Sequence, residues 1–302
     1  MKKTTFLLVL FILSLIIEKV NAQVSFKTEY ISSSSYRDNN NNKVSGAKGS
    51  AMVYSGDIKI PLSVKTSKDS IPIIWAVDLS GAYASLNNKN LTDDQVLSNI
   101  VNLQFSLFNL RPLNKKWSLL TFAGAGIYTD QTQISKMNAR SILGNVGALF
   151  IKKINPNLDL GAGVAFNNAF GVPMIFPALY VNYNLESNFT FKVSMLSGVE
   201  ASAGYNFSDT FLLSLVFQLN GQLALLQKDG KDVMFTHQYF VTGFRPEIKI
   251  TKNISLPITA GINAMRPVYY NDRSLKSIFD DKNTNAHFDF SPYVSAEINF
   301  KF

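Results

Sequence analysis

Apolar and polar residues alternate with a period of two along most of this chain, most clearly at its end. In "HFDFSPYVSAEINFKF", Phe288, Phe290, Pro292, Val294, Ala296, Ile298, Phe300 and Phe302 fall on one parity. His287, Asp289, Ser291, Tyr293, Ser295, Glu297, Asn299 and Lys301 fall on the other. A side-chain period of two predicts a strand with one apolar and one polar face. "NLDLGAGVAFN" repeats it, with Leu158, Leu160, Ala162, Val164 and Phe166 on one face. So do "TFLLSLVFQLNGQ" and "NISLPITAGINA". The best helical candidate, "LTDDQVLSNIV", sits in a loop before a strand.

The pattern predicts fourteen strands, at roughly 24–34, 48–63, 72–85, 98–110, 116–128, 140–153, 157–168, 173–185, 188–196, 198–207, 210–225, 236–250, 253–265 and 288–302. The link "MLSGVE" is very short, which leaves twelve as the alternative count. Short polar turns such as "LNKKW", "INPNL" and "ITKNI" alternate with mostly longer links such as "SSSSYRDNNNNKVSGAK", "QKDGKDV" and the run from Arg266 to His287. Short turns on one rim and long loops on the other predict an up-and-down meander. No composition shift marks a domain boundary, so residues 23–302 read as one domain.

The other end changes the picture. "MKKTTFLLVLFILSLIIEKVNAQ" has two lysines, an apolar run from Phe6 to Ile17 and a small-residue site at Val20-Asn21-Ala22. It reads as a signal peptide over residues 1–22, cleaved after Ala22, because the apolar run is too short to span a membrane at about 20 residues. With no cysteine, the chain has neither a lipid-anchoring site nor disulfides. The net charge of +8 is scattered rather than clustered, which argues against nucleic acid as a partner.

The inner parity points to a membrane barrel. Turning each apolar set outward places Lys27, Glu29, Asp57, Lys59, Asp78, Asp159, Lys192, Glu200, Arg245, Glu247, Lys249 and Glu297 on the inside, seven acidic and five basic residues. A soluble barrel would reverse this, and a secreted β-sandwich or solenoid is the remaining alternative. Lipid outside and a polar lumen inside predict a single transmembrane up-and-down antiparallel β-barrel, closed because lipid tolerates no open sheet edge. Trp117, Tyr183, Tyr205, Phe207 and Phe302 mark one expected aromatic girdle, and Tyr30, Tyr54, Tyr83 and Tyr128 the other.

The final strand, with its alternating apolar positions and terminal aromatic, resembles the C-terminal assembly signal of bacterial outer-membrane β-barrel proteins. The resemblance implies that Ala296, Ile298, Phe300 and Phe302 are read by the barrel insertion machinery, with outer-membrane lipid as the other partner. The whole chain is similar to uncharacterised outer-membrane barrels grouped as domains of unknown function. That likeness implies a fold and a location in the outer membrane, and no activity.

Three kinds of function follow. Fourteen strands enclose more room than side chains need fill, which suggests a porin-like channel for small solutes, or a structural barrel whose mixed charges pair. A transporter of hydrophobic molecules would resemble the long-chain fatty-acid transporters, but the first strand at Val24 leaves no segment for their N-terminal plug. A barrel hydrolase needs an activated nucleophile and base. His237 in "THQYF" lacks the His-x-Ser form of lipid hydrolases, and His287 with Asp289 only faintly resembles rim proteases. "FAGAG" and "GAGVAF" precede no helix, so they are no phosphate loops. The loop around Tyr269 and Tyr270 could bind a surface partner, while Asp280-Asp281 fall short of a calcium shell. The reading is a barrel without a catalytic site, cofactor or metal.

Overall fold

The computed structural model describes residues 22–67, 70–133, 136–195, 198–278 and 285–302. The expected signal peptide, apart from Ala22, lies outside them, as do Asp280 and Asp281. The strands are β1 (Gln23–Arg37), β2 (Lys43–Thr66), β3 (Pro72–Lys89), β4 (Asn99–Pro112), β5 (Trp117–Thr129), β6 (Ile142–Asn155), β7 (Leu158–Asn167) and β8 (Met174–Glu186). They continue as β9 (Phe189–Ser194), β10 (Val199–Ser208), β11 (Phe211–Lys228), β12 (Lys231–Lys249), β13 (Ile254–Asp272), β14 (His287–Phe288) and β15 (Ser291–Lys301).

From β1 to β14 each strand pairs antiparallel with its sequence neighbour, and β15 pairs with β13 and β1, so the sheet closes into a ring. β14 and β15 occupy one place between β13 and β1, which makes fourteen staves. The closure is well formed: Val24 pairs with Phe300, Phe26 with Ile298 and Thr28 with Ala296. The outer parity is apolar and exposed, with Phe26, Leu79, Phe105, Phe150, Leu179, Phe217 and Phe244 among its members. The fold is a transmembrane-type up-and-down barrel with its apolar face outward.

Several boundaries differ from the sequence expectation. β11 and β12 run to a tight turn at Asp229-Gly230, both with positive φ (51° and 77°), so "QKDGKDV" is a hairpin tip rather than a long loop. An Asp-Gly pair favours that turn because both central residues need positive φ. β13 extends to Asp272, which places Arg266, Tyr269 and Tyr270 on a strand. Phe288, expected on the outer parity, is buried inside. The last stave breaks at Asp289-Phe290, where Arg37 holds the Asp289 carboxylate at 2.6 Å, and the break resets the parity. Tyr128 likewise leaves the expected girdle: its hydroxyl donates to Gln104 Oε1 at 2.6 Å, inside the barrel.

The staves are of unequal height. β9 has 6 residues and β10 has 10, whereas β11 has 18. The β10–β11 ladder ends at Val199↔Leu219, and among the described residues β11 pairs from Asn220 to Lys228 only with β12. Buried backbone groups need partners, and this bare edge finds them across the barrel. The Asn102 side chain of β4 donates to the Leu223 carbonyl at 2.6 Å and accepts from its N–H at 3.2 Å. Ser141, in a short 3-10 turn before β6, donates to the Leu225 carbonyl at 3.2 Å.

This seam divides the barrel. Towards the long-loop end, eight staves (β11 to β14 and β1 to β4) form a smaller closed wall. Inside it lies a packed cluster that includes Ile31, Val53, Ile100, Phe235, Val268 and Phe288. Eight strands are about the number whose interior side chains alone can fill. Gly49 makes room for the Phe288 ring, since a Cβ there would stand 2.6 Å from it. Towards the short-turn end all fourteen staves stand apart, and the interior stays open.

Candidate functional site

The open half holds a cavity of about 820 Å³. Its wall has two sectors. On β1 to β3 and β15 the inner positions are Lys27, Glu29, Asp57, Lys59, Asp78 and Glu297. On β4 to β8 they include Phe108, Leu110, Leu120, Ile151 and Tyr180, part of an apolar cluster with Phe122 and Leu149. The cavity is therefore charged on one side and apolar on the other.

The charges are largely paired. Lys27 Nζ lies 2.8 Å from Glu29 Oε1, and Lys27 and Glu297 are register partners on β1 and β15. Glu29 also accepts the hydroxyls of Tyr239, at 2.8 Å, and Tyr293. Lys59 Nζ lies 3.1 Å from Asp57 and 3.8 Å from Asp78, one ammonium between two carboxylates. Arg245 grips Glu200 with two bonds, at 2.9 and 3.2 Å, and donates to Thr259 Oγ1 at 3.2 Å. Gln218 donates to the same Glu200 carboxylate. Such bidentate pairs are stronger and more directional than single contacts.

The structure brings only some of the sequence-selected charges together. Lys27, Glu29, Asp57, Lys59, Asp78 and Glu297 share the cavity, and Glu200 pairs with Arg245 from β10 to β12, outside its lining but within electrostatic reach of Glu297. Asp159, Lys192, Glu247 and Lys249 do not line it. Asp159 opens β7, Glu247 and Lys249 end β12, and Lys192 is exposed on the short β9. Ala296, Ile298, Phe300 and Phe302 lie along the closing stave, and the Phe302 N–H donates to the Ala22 carbonyl at 2.9 Å.

Sequence reasoning missed the apolar sector and the packed half. It also missed Arg266, which is buried with its Nη2 donating to the Gly49 carbonyl at 2.7 Å and its guanidinium 4.0 Å over the Phe288 ring. Stacking on a ring face offsets part of the cost of a buried cation. His237 is buried beside it, with Nδ1 2.8 Å from Gln222 Oε1, closed off from any substrate. His287 turns its Nδ1 to the Asn285 carbonyl at 2.6 Å, while Asp289 is engaged by Arg37. Among the described residues, no three metal-binding side chains converge. A signal existed in "MFTHQYFVTGF": apolar and aromatic residues on both parities of one strand mark a stave whose inner face is packed while its outer face stays apolar.

The model of one protein family, described as a domain of unknown function (DUF6268), matches residues 18–301. The chain belongs to that family. No curated protein matches the chain. Among solved structures it is similar to the COG4313 outer membrane channel of Pseudomonas putida F1, at 12% identity over 94% of this chain and 96% of that one, with a TM-score of 0.42. The Acinetobacter baumannii outer membrane protein Omp33 matches at 10% identity over 93% and 98%, with a TM-score of 0.39. The Escherichia coli outer membrane protease OmpT matches at 10% identity over 94% and 97%, with a TM-score of 0.27.

Proposed function

We propose that the chain is a non-enzymatic outer-membrane channel for small solutes, held closed at its long-loop end in the conformation described. The carrying observation is the 820 Å³ cavity with its charged sector, inside a sheet that closes into a ring and whose outer face is apolar. A polar interior behind an apolar exterior is what a tilted barrel needs to carry water-soluble molecules through lipid. The four carboxylates and two ammonium groups of the lining favour cations. Residues 1–22 supply the export signal, and Ala296, Ile298, Phe300 and Phe302 the segment read by the insertion machinery. Their position beside β1 at the ring closure supports that role.

The test is single-channel conductance of the refolded mature protein in a planar bilayer across several salt concentrations. Brief, cation-preferring ohmic openings are expected, lengthened in Asn102→Ala, which frees the seam. Silence from both folded proteins contradicts the proposal.

A further inference from the structure

The short staves leave a hole in the wall. β8 pairs with β9 only up to Asn182↔Ser194, and among the described residues no strand pairs with that edge of β8 from Met174 to Tyr180. Facing it across the low β9–β10 hairpin, β11 has left β10 above Leu219 and leaned across to β4. Two strand edges that neighbour the same short hairpin have thus separated.

The cavity reaches this gap. Its lining includes Asn220 and Gln222 on the inner parity of β11, but also Leu219 and Gly221 on the outer parity. Leu219 is the last β11 residue paired with β10, and the next three are past that pairing, so the cavity reaches the bare edge. Gly198, at the top of β10, and Tyr180, on the inner face of β8, complete the lining there.

The gap starts part-way up the hydrocarbon on β8 and near its upper limit on β11. Its lower limit on β8, near Val181, is 5 residues from the short-turn end at Glu186, and on β11 Leu219 is 8 residues from Phe211. A tilted strand crosses the hydrocarbon in about 9–11 residues. The outer side chains flanking the gap are apolar, and Ile175 and Leu179 on β8 are 61% and 65% exposed. Above it the β7–β8 loop forms a roof: Arg273 donates to the carbonyls of Ala169 at 2.8 Å, Asn168 at 2.9 Å and Arg140 at 2.9 Å.

The geometry points to a lateral portal between β8 and β11, through which a single-chain cationic amphiphile passes between the membrane and the cavity. The apolar sector, with Phe108, Leu120, Ile151 and Tyr180, accepts the chain. The opposite sector, where four carboxylates share the lining with two ammonium groups, accepts the head. The portal shares its cavity with the channel proposed above but not its aqueous path, so either can fail alone.

The experiment uses the full mature chain in liposomes. Because the sequence contains no cysteine, Ser80→Cys on the cavity wall can carry a single fluorophore. The probe is dodecyltrimethylammonium with a nitroxide on its chain. Saturable quenching is expected, slowed at least tenfold when Leu219→Trp fills the portal. Ala178→Phe, on the β8 side, should slow it too, and heat-modifiable mobility shows that each variant is folded. Quenching in both variants as fast as in the unsubstituted portal overturns it. Equally saturable quenching by a chainless nitroxide-labelled trimethylammonium, or by a nitroxide fatty acid, overturns the ligand class. Portal quenching without conductance sinks the channel alone.

Discussion

The two halves of this barrel are built from the same strands and differ inside. Towards the long loops, β3 carries Ala84 and Leu86 into a packed cluster; a few residues lower, the same face presents Asp78 and Ser80 to a cavity. The difference comes from stave number. Once β11 seams to β4, eight staves surround a volume that side chains fill, while fourteen surround one they cannot. Barrel interiors are set by closure as much as by residue type, and one chain can hold two closures.

Variants that attack one half and spare the other sharpen this contrast. The largest effect belongs to the packed half. Phe235→Ala removes a fully buried ring and should cost about 3–5 kcal/mol in urea unfolding of the liposome-folded barrel. Ser80→Ala, on the cavity wall, should change little. Next comes the shared outer wall. Ile298→Lys puts charge into lipid and should cost about 2–4 kcal/mol near the midplane, whereas its inward neighbour Glu297→Ala should assemble well. The seam itself is third. Asn102→Ala leaves the Leu223 N–H and carbonyl without their partner and should cost about 1–3 kcal/mol. It should also lengthen channel openings, which links the two halves. Smallest in stability is Lys59→Ala. Its side chain is 37% exposed, with the ammonium between Asp57 and Asp78, so unfolding should shift by less than about 1 kcal/mol. Cation selectivity should nevertheless rise, as read from the reversal potential in a salt gradient.

The outer wall was legible in the sequence because lipid imposes one rule on every stave, an apolar residue at every second position. That rule gave the fourteen staves and the outward set on β7, β11 and β15. The interior obeys no single rule. Tyr128 and Phe288 were assigned outward because a stave end and a broken stave look continuous in sequence, while the Arg37–Asp289 pair that fixes the break joins residues far apart in the chain. Charges such as Lys27, Asp57 and Asp78 stood out on the inner parity, but Phe108, Leu120 and Ile151 on the same parity did not, since a charge is conspicuous and a leucine is not. The seam was invisible for another reason: Asn102 and Leu223 lie on opposite sides of the ring, and nothing local in either stretch predicts their meeting.

The most direct test of two interiors in one barrel uses two cysteines on one strand face. Ser80 lines the cavity and Ala84, four residues further along the same face of β3, is fully buried in the packed half. Single variants Ser80→Cys and Ala84→Cys, folded in liposomes, would be treated with a small cationic thiol reagent. Modification of Ser80→Cys at least a hundredfold faster than Ala84→Cys is the predicted result. Equal rates, or faster modification of Ala84→Cys, would mean that the long-loop half is open and the two-closure account is wrong.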